Sequence, residues 1–293
     1  MSRLRTLFDT GLVITDGAWG TELQKRGLAP GLPSDLWNLT RPDDVEAVAR
    51  AYVAAGSRVI LTNTFRGNPV ALSAQAEAGR TAEINRRGVE LSKRAAGDRV
   101  RVFASMGPTG KALATGEIDE PTVLDAFRVQ AEALAAGGAD ALLFETFSDL
   151  DEARLAVRAA RPLGLPILVS FAFDSGRQKD RTMMGVTPET AARAMADEGV
   201  DAVGANCGAG PESFPAICRR LKESSGLPVW IKPNAGLPAL ADGRAVYAMG
   251  PESFSSYLPA LIAAGASFVG GCCGTGPDFI RALAQLAITC EFR

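Results

Sequence analysis

The chain has 293 residues, of which 47% are hydrophobic, and its 31 basic and 33 acidic residues leave a formal charge of −2 at pH 7. This balance disfavours a nucleic-acid-binding protein or one that binds an anionic membrane, because both need a basic surface. The first residues, MSRLRTLFDTG, contain no apolar run long enough for a signal peptide or a membrane span. We therefore expect a soluble cytoplasmic protein.

Eight short apolar runs rich in β-branched residues are spaced along the chain, and each is bounded by turn residues. None alternates strictly between apolar and polar positions, which is typical of strands buried on both faces. The predicted strands lie within 12–17, 58–64, 101–107, 140–146, 166–173, 201–208, 228–236 and 266–274.

Amphipathic segments separate these runs, and several open with Thr, Pro or acidic residues and close at glycine, as helices do. Because strand and helix alternate eight times with no linker between domains, the sequence predicts one α/β domain over 1–293. The pattern favours a single (βα)8 TIM barrel, with its active site at the C-terminal ends of the strands. The predicted helices are 41–56, 121–138, 148–160, 187–199, 211–226, 251–265 and 276–287, and 68–97 is expected to hold a loop and two helical pieces.

The cysteine and histidine counts limit the chemistry. Five widely spaced cysteines do not resemble the framework of a small disulfide-rich secreted domain. The chain contains no histidine, which excludes Ser-His-Asp and Cys-His catalysis and every histidine metal ligand. A metal site in this chain must rest on Cys, Asp, Glu, Asn or water.

Three cysteines follow predicted strands directly. Cys207 follows the sixth run, and Cys272 and Cys273 follow the eighth. Since the carboxyl ends of parallel barrel strands meet at one rim, these thiols should converge. Three thiolates favour zinc, and three protein ligands leave a fourth position open, as in catalytic zinc sites. A substrate thiol in that position would be held as a thiolate.

Other interpretations of the segment GGCCGTGP (270–277) remain open. Cys272 and Cys273 are candidates for a redox-active vicinal disulfide. A glycine-rich turn late in a barrel is also typical of a phosphate site, to which Lys232 would contribute, as in a barrel aldolase or isomerase. That interpretation leaves the thiols unexplained. Cys218 and Cys290 are expected to be buried apolar residues.

Seven motifs, in order, resemble the homocysteine S-methyltransferase family, which includes the homocysteine-binding domain of cobalamin-dependent methionine synthase, betaine–homocysteine methyltransferases and S-methylmethionine-dependent enzymes. The resemblance covers about residues 10 to 288. It implies a (βα)8 barrel that binds homocysteine and holds zinc through Cys207, Cys272 and Cys273. The motifs are DGAWGTELQKRG (16–27), LTNTF (61–65), GPTG (107–110), FETFSDLDE (144–152), GANCGAGPE (204–212), KPNAGLP (232–238) and GGCCGTGP (270–277).

The resemblance also implies residues that bind the amino acid part of homocysteine. Asp16 and Glu145 match the carboxylates that bind its ammonium group. Gly17, with Ser105 or Met106, is a candidate backbone donor to its carboxylate. Asn234 matches a position close to the metal and is a candidate fourth ligand when no thiol is bound; the alternative is a turn residue.

The methyl donor is less clearly indicated. Trp37, with Phe65 and Phe173, is a candidate aromatic cage for a methylated cation, and packing beneath a loop is the alternative interpretation. The segment GRQKDRTMMG (176–185) is a candidate loop over the donor.

We expect a zinc-dependent homocysteine S-methyltransferase that forms methionine from a small onium donor of the betaine or S-methylmethionine type. An alternative is a homocysteine-activating module of a cobalamin-dependent system that acts with a separate corrinoid protein. A phosphate-binding barrel enzyme is a third candidate.

Overall fold

The computed structural model describes Leu4, residues 11–241 and residues 244–291. Eight of its strands form one sheet of parallel neighbours, in the order β1-β10-β7-β6-β5-β4-β3-β2, where the strands are numbered along the chain. They are β1 Val13–Ile14, β2 Val59–Leu61, β3 Arg101–Met106, β4 Ala141–Phe147, β5 Ile167–Phe171, β6 Ala202–Cys207, β7 Val229–Pro233, β8 Ala239–Ala241, β9 Arg244–Val246 and β10 Ala266–Val269.

The two end strands of the sheet, β1 and β2, meet and close it into a barrel. The backbone N–H of Arg58 donates to the carbonyl oxygen of Ile14 at 2.8 Å, and Ser57 Oγ donates to the carbonyl oxygen of Thr15 at 3.2 Å. The predicted (βα)8 barrel is confirmed, and each predicted run overlaps one of its strands. Nearly all the strand residues are buried, as their apolar runs predict.

The described residues form twelve α-helices, most of them in the connections between strands. Asp119, Asp149 and Thr187 cap three of them, each accepting a hydrogen bond from a backbone N–H in the first turn. The helices are α1 Gly20–Lys25, α2 Trp37–Thr40, α3 Pro42–Ala55, α4 Pro69–Ser73, α5 Thr81–Ala96, α6 Glu120–Ala136, α7 Leu150–Ala160, α8 Pro188–Asp197, α9 Phe214–Ser225, α10 Pro251–Ser255, α11 Leu258–Ala263 and α12 Pro277–Glu291.

One predicted helix is divided in the structure. The segment 251–265 forms α10 and α11 with a break at Ser256 and Tyr257. Pro259 explains the break, because a proline has no N–H to donate to the preceding turn and fits only the first turn of a helix. The two helical pieces expected within 68–97 are confirmed as α4 and α5.

An antiparallel hairpin of β8 and β9 was not predicted. It lies between β7 and α10, outside the barrel sheet, and its strands have three residues each. Since it follows β7, it lies at the end of the barrel where the strands have their C-termini. Leu237, before the hairpin, and Leu240, within it, are 70% and 84% exposed. Burial of apolar side chains therefore does not determine where this hairpin forms.

Aromatic side chains fill the barrel beneath that end. The rings of Phe103, Trp230 and Phe268 lie within 6.2 Å of one another, centroid to centroid. Trp230 stands two residues before Lys232 on β7, so both side chains point to the same face of the sheet. The aromatic layer therefore packs directly beneath the C-terminal ends of the strands. No helix among the described residues is long and apolar enough to cross a membrane.

Candidate active site

A cavity of about 310 Å³ opens at the C-terminal ends of the barrel strands. Its lining includes Lys232 from β7 and the polar ends of β2, β3, β4 and β6. Of the residues singled out in the sequence, it brings together Gly17, Phe65, Ser105, Glu145, Cys207, Cys272 and Cys273.

The cysteine triad of Cys207, Cys272 and Cys273 forms one wall of the cavity. The three Sγ atoms lie within 4.8 Å of one another, and those of Cys207 and Cys273 are 3.9 Å apart. Tetrahedral zinc, with Zn–S bonds of about 2.3 Å, needs sulfurs about 3.8 Å apart. All three residues are free thiols, so the vicinal disulfide is not formed in this structure. The donor set and its spacing fit a thiophilic metal ion such as zinc.

Backbone strain positions Cys207. Its φ of 66° is left-handed, and Gly208 follows at 73°. A non-glycine residue in this region costs about 1–3 kcal/mol, which the surrounding structure must offset. Thr146, at the cavity end of β4, has a similar φ of 67°. In a regular strand, successive side chains alternate between the two faces of the sheet. The left-handed backbone at Cys207 and Thr146 breaks this alternation at the strand ends, and both residues line the cavity.

Asn206 fixes the relation between these two strand ends. Its Oδ1 accepts hydrogen bonds from the backbone N–H of Thr146 at 2.9 Å and from Ser170 Oγ at 2.6 Å. Its Nδ2 donates to Thr146 Oγ1 at 2.7 Å. A buried amide whose hydrogen bonds are satisfied in this way links the ends of β4, β5 and β6 at the site.

The glycine-rich turn after β10 brings two cysteines to the same point. A Cβ on Gly271 would contact the Thr275 side chain, and one on Gly270 would contact Thr15. Four N–H groups of the turn already donate to backbone carbonyls, so they are not free to hold a phosphate. The pairs are Gly270 to Ile231, Gly271 to Asp16, Cys272 to Pro233 and Thr275 to Cys272.

The three thiols share their protons unequally. Hydrogen bonding from Cys207 and then from Cys272 lowers the pKa of Cys273 to about 3. The same contacts, with Cys272 contributing most, raise the pKa of Cys207 well above its usual value. Negative charge therefore concentrates on one sulfur, and ionisation of all three requires a cation among them.

Two predicted carboxylates occupy different depths. Asp16 is fully buried and is not among the residues that line the cavity. Its Oδ2 accepts hydrogen bonds from Trp19 Nε1 at 2.8 Å and from the backbone N–H of Leu61 at 2.7 Å, and its Oδ1 forms a salt bridge with Lys232 Nζ. Asp16 thus lies outside the lining and is paired with Lys232, which is part of it.

Glu145 lies in the lining itself. Ser105 Oγ donates a hydrogen bond to its Oε1, and the residue is 7% exposed. Burial raises the pKa of Glu145 to about 7, against the opposing effect of Lys232. A buried carboxyl with a raised pKa gains from a cationic ligand, because the cation restores its charged form.

Asn234 lies beside the triad but not in the cavity lining. Its backbone N–H donates to the carbonyl oxygen of Cys207 at 3.2 Å, and its Nδ2 donates to that of Gly208 at 2.6 Å. Its Oδ1 is buried and has no hydrogen-bond partner among the described residues. An unpaired buried acceptor at this place suits the metal-ligand role inferred from the sequence.

The candidate aromatic cage is not assembled. Trp37 stacks against Arg41, whose guanidinium carbon lies 4.4 Å from the ring centroid. Phe173 is buried against Phe171, and of the three cage candidates only Phe65 lines the cavity. The first two rings are therefore placed as packing residues in this structure.

Two remaining cysteines lie elsewhere. Cys218 is fully buried in α9, as expected, and its Sγ lies 3.6 Å from the carbonyl oxygen of Ala264. Cys290, in α12, is only partly buried.

The structure adds Lys232 and Asn206 to the residues that form the site. Asn206 directly precedes Cys207 in the motif GANCGAGPE, and nothing in the sequence separates the role of its amide from that of the cysteine. The sequence predicts Lys232 only as a candidate phosphate ligand. Lys232 lies inside an apolar strand run, VWIKPN. Because lysine is rarely buried unless it is paired, this position indicates a buried ion pair or a functional role.

The model of the homocysteine S-methyltransferase family matches residues 13–287. The chain belongs to the homocysteine S-methyltransferase family. The family and the enzyme class inferred from the sequence, a methyltransferase, are thereby confirmed.

Curated relatives of this homocysteine S-methyltransferase family member include two mycobacterial methionine synthases. The protein of Mycobacterium leprae (strain TN) is 34% identical over 299 residues, which are 96% of this chain and 24% of the relative. That of Mycobacterium tuberculosis (strain ATCC 25618 / H37Rv) is 36% identical over 303 residues, covering 95% of this chain and 25% of the relative. The chain thus spans about a quarter of the length of these relatives.

Solved structures of the homocysteine methyltransferase MmuM from Escherichia coli share the fold. The metallated form superposes with a TM-score of 0.80 at 25% identity, covering 97% of this chain and 99% of that one. The oxidized form superposes with a TM-score of 0.79 at 26% identity, covering 98% of this chain and 100% of that one. A putative phosphonomutase from Burkholderia cenocepacia, at 17% identity and a TM-score of 0.52 over 99% of this chain and 96% of that one, shares the barrel fold alone.

Proposed function

We propose that this chain, as one homocysteine-binding domain, transfers a methyl group to the sulfur of homocysteine and forms methionine. The observation that carries the proposal is a cysteine triad beside a charged pocket in one cavity. The triad suits a thiol, and Glu145 with Lys232 suits the charged groups of an amino acid. Membership in the family and the relatives called methionine synthase support the same substrate.

The proposed metal is zinc, held by Cys207, Cys272 and Cys273, with Asn234 as the fourth ligand in the absence of a thiol. When bound, zinc would keep the substrate thiol ionised at neutral pH. The protein contributes the position of the sulfur: the strained Cys207 and the turn at Cys272 and Cys273 direct their side chains to one point. With no histidine in the chain, no histidine base takes part.

Glu145 is proposed to bind the ammonium group of homocysteine. Asp16 is paired with Lys232 and lies outside the cavity lining, so it would act on the substrate through Lys232 and not by direct contact. The sulfur then attacks the methyl carbon in line: an S–CH3 bond forms while the bond from that carbon to a cationic nitrogen or sulfur breaks. The donor leaves as a neutral amine or sulfide, so no acid is needed on the protein.

A Cys272→Ala variant tests the metal site. The purified chain is expected to carry about one zinc per molecule, and the variant to lose both zinc and methionine formation. A Cys290→Ser variant is the matched control, since this thiol lies outside the triad. A folded Cys272→Ala variant with full zinc and full activity would rule out the mechanism.

A second candidate is favoured by the surface around the cavity mouth. Of the eight large apolar side chains that are exposed among the described residues, six follow β1, β5 or β7 and so lie toward the catalytic end. They are Leu32, Met183, Met184, Leu237, Leu240 and Val246. Concentrated apolar exposure is typical of a docking surface. The methyl donor would then be a separate corrinoid protein that covers the mouth.

A donor panel separates the two candidates. The chain alone is incubated with homocysteine and, in turn, betaine, S-methylmethionine or methylcobalamin. Methionine from betaine or S-methylmethionine supports the small-donor function. Turnover only with a cobalamin donor supports the second, in which case Leu240→Asp should slow transfer from a corrinoid protein while Leu124→Asp, on α6, leaves it unchanged.

A further inference from the structure

Lys232 is the only buried cation among the side chains whose burial the structure describes. Its side chain is 2% exposed, yet its residue lines the cavity. Burying an ammonium group costs several kcal/mol unless it is paired, so an apolar strand retains one only where its charge is used. Pairing with Asp16 neutralises it, but does not explain why both charges lie at this place.

The contacts of Lys232 leave part of its ammonium unused. A lysine Nζ carries three N–H donors. Asp16 Oδ1 accepts one of them, and among the described residues no other oxygen accepts a hydrogen bond from Nζ. The ring of Trp230 lies 5.6 Å from the ammonium group, centroid to Nζ, and Lys232 is part of the cavity lining. Lys232 therefore presents free donors to a ligand.

The cavity offers unlike charges to the two ends of an amino acid. Glu145 has one oxygen bonded to Ser105 and the other, Oε2, free of a hydrogen bond among the described residues. The triad supplies the place for a sulfur. An α-amino acid thiol carries an ammonium, a carboxylate and a thiol, and the carboxylate still lacks a charged partner. The backbone N–H of Gly17, which also lines the cavity, is the alternative donor inferred from the sequence.

We propose that Lys232 binds the α-carboxylate of the thiol substrate, and that Asp16 is a positioning residue that holds Lys232 toward the cavity. This inference rests on the proposed function, because it identifies the recognition of the same substrate. It restricts that substrate to thiols whose carboxylate lies beside the ammonium group. The carboxylate accepts from Nζ, and Asp16 keeps its own hydrogen bonds to Trp19 and Leu61.

Three thiols test the assignment on the cobalt-loaded chain, in which binding is followed by the sulfur-to-cobalt absorbance without turnover. They are homocysteine, 3-aminopropane-1-thiol, which lacks the carboxylate, and 4-sulfanylbutanoate, which lacks the ammonium. Lys232→Met should weaken homocysteine about 10- to 100-fold, as expected for loss of a charge-assisted hydrogen bond. Because loss of Lys232 also raises the pKa of Glu145, the affinities are compared at pH 8.5 or above. There the same variant should change the affinity for 3-aminopropane-1-thiol less than about threefold.

Glu145→Gln is the matched variant, because it should give the opposite pattern. It should weaken homocysteine and 3-aminopropane-1-thiol and leave 4-sulfanylbutanoate unchanged. Because Lys232→Met leaves Asp16 as an unpaired buried charge, the double variant Asp16→Asn, Lys232→Met provides a second test without that charge. It should show the same loss of selectivity for the carboxylate.

Equal weakening of all three thiols by both Lys232 variants would overturn the assignment, since it is the result of a structural role alone. Unchanged affinity for homocysteine would also overturn it, and would place the carboxylate on backbone donors such as the N–H of Gly17. Wild-type protein that gives no absorbance change with any thiol would instead contradict the proposed function. Calorimetry with methionine and 3-(methylthio)propylamine then still tests Lys232, because neither ligand has a thiol.

Discussion

At the scale of single residues, the cavity combines groups whose charge depends on their neighbours. Asp16 accepts three hydrogen bonds, whereas Glu145 is placed where burial raises its pKa to about 7. Two carboxylates in one site therefore have different tasks. Asp16 is paired with Lys232. Glu145, in the lining, has a raised pKa and would become ionised when a cationic group binds beside it.

Glu145 gives the site a pH dependence with a definite sign. Its pKa of about 7 in the folded protein, against an ordinary value of 4.5, means that it is protonated below pH 7 and cannot pair with an ammonium group. Homocysteine affinity should fall up to tenfold per pH unit below 7. Isothermal titration between pH 5.5 and 8.5 measures this dependence.

Glu145→Gln and the ligand 4-sulfanylbutanoate are the controls, because each removes one partner of the pair. Both should lack this part of the pH dependence. The same carboxyl also affects the free energy of unfolding, because its pKa is higher in the folded than in the unfolded chain. Its stabilising contribution is full below pH 4.5 and is lost as the pH rises through about 7. A wild-type pH profile that is retained in Glu145→Gln would assign the effect to another group.

At the scale of elements, most strands were predictable and the hairpin was not. The barrel strands are continuous apolar runs, such as Leu142 to Phe144, whose burial on both faces fixes their composition. The strands β8 and β9 have three residues each, and their apolar residues Leu240 and Val246 are exposed, so hydrophobic patterning gives no signal. The sequence does contain an Asp-Gly pair at 242–243, a typical hairpin signal, and these two residues lie outside the described ones.

Site residues differ in the same way. Cys207, Cys272 and Cys273 were predictable because parallel strands end at one rim and cysteine has few roles in such a place. The pairing of Lys232 with Asp16 joins residues 216 positions apart, and no periodic pattern encodes it. The position of Trp37 against Arg41 depends on the packing of α2, which sequence alone does not give.

The turn after β10 is the element on which the triad depends most. A Cβ on Gly271 would contact Thr275 Oγ1, Cγ2 and Cβ, and the side chain of Thr275 is itself held by the carbonyl oxygen of Cys272. Gly271→Ala should therefore displace Cys272, lower the free energy of unfolding by about 1–3 kcal/mol and reduce zinc affinity. Chelator competition and denaturant unfolding measure the two effects.

Gly79→Ala is the matched control. A Cβ at Gly79 meets no atom within 4 Å, and its φ is not left-handed. It should change neither stability nor metal affinity by a measurable amount. If Gly271→Ala retains the zinc affinity of the wild type, the geometry of the turn is not what holds the triad together.

At the scale of the whole molecule, the triad joins distant parts of the barrel. Cys207 ends β6, and Cys272 and Cys273 follow β10, with β7 between them in the sheet. A metal ion bound by all three connects these segments in the folded state and has no comparable site in the unfolded chain. Metal binding should therefore stabilise the entire barrel, since eight of the ten described strands form one sheet.

Removal of the metal should lower the melting temperature. At a free metal concentration about a thousand times the dissociation constant, binding contributes about 4 kcal/mol, or on the order of 5–10 °C for a chain of this size. Differential scanning calorimetry of the zinc-loaded and chelated chain measures the difference. Cys272→Ala should melt at one temperature with or without zinc, whereas Cys290→Ser should keep the full difference. A zinc-dependent shift of wild-type size in Cys272→Ala would mean that the stabilising ion binds outside the triad.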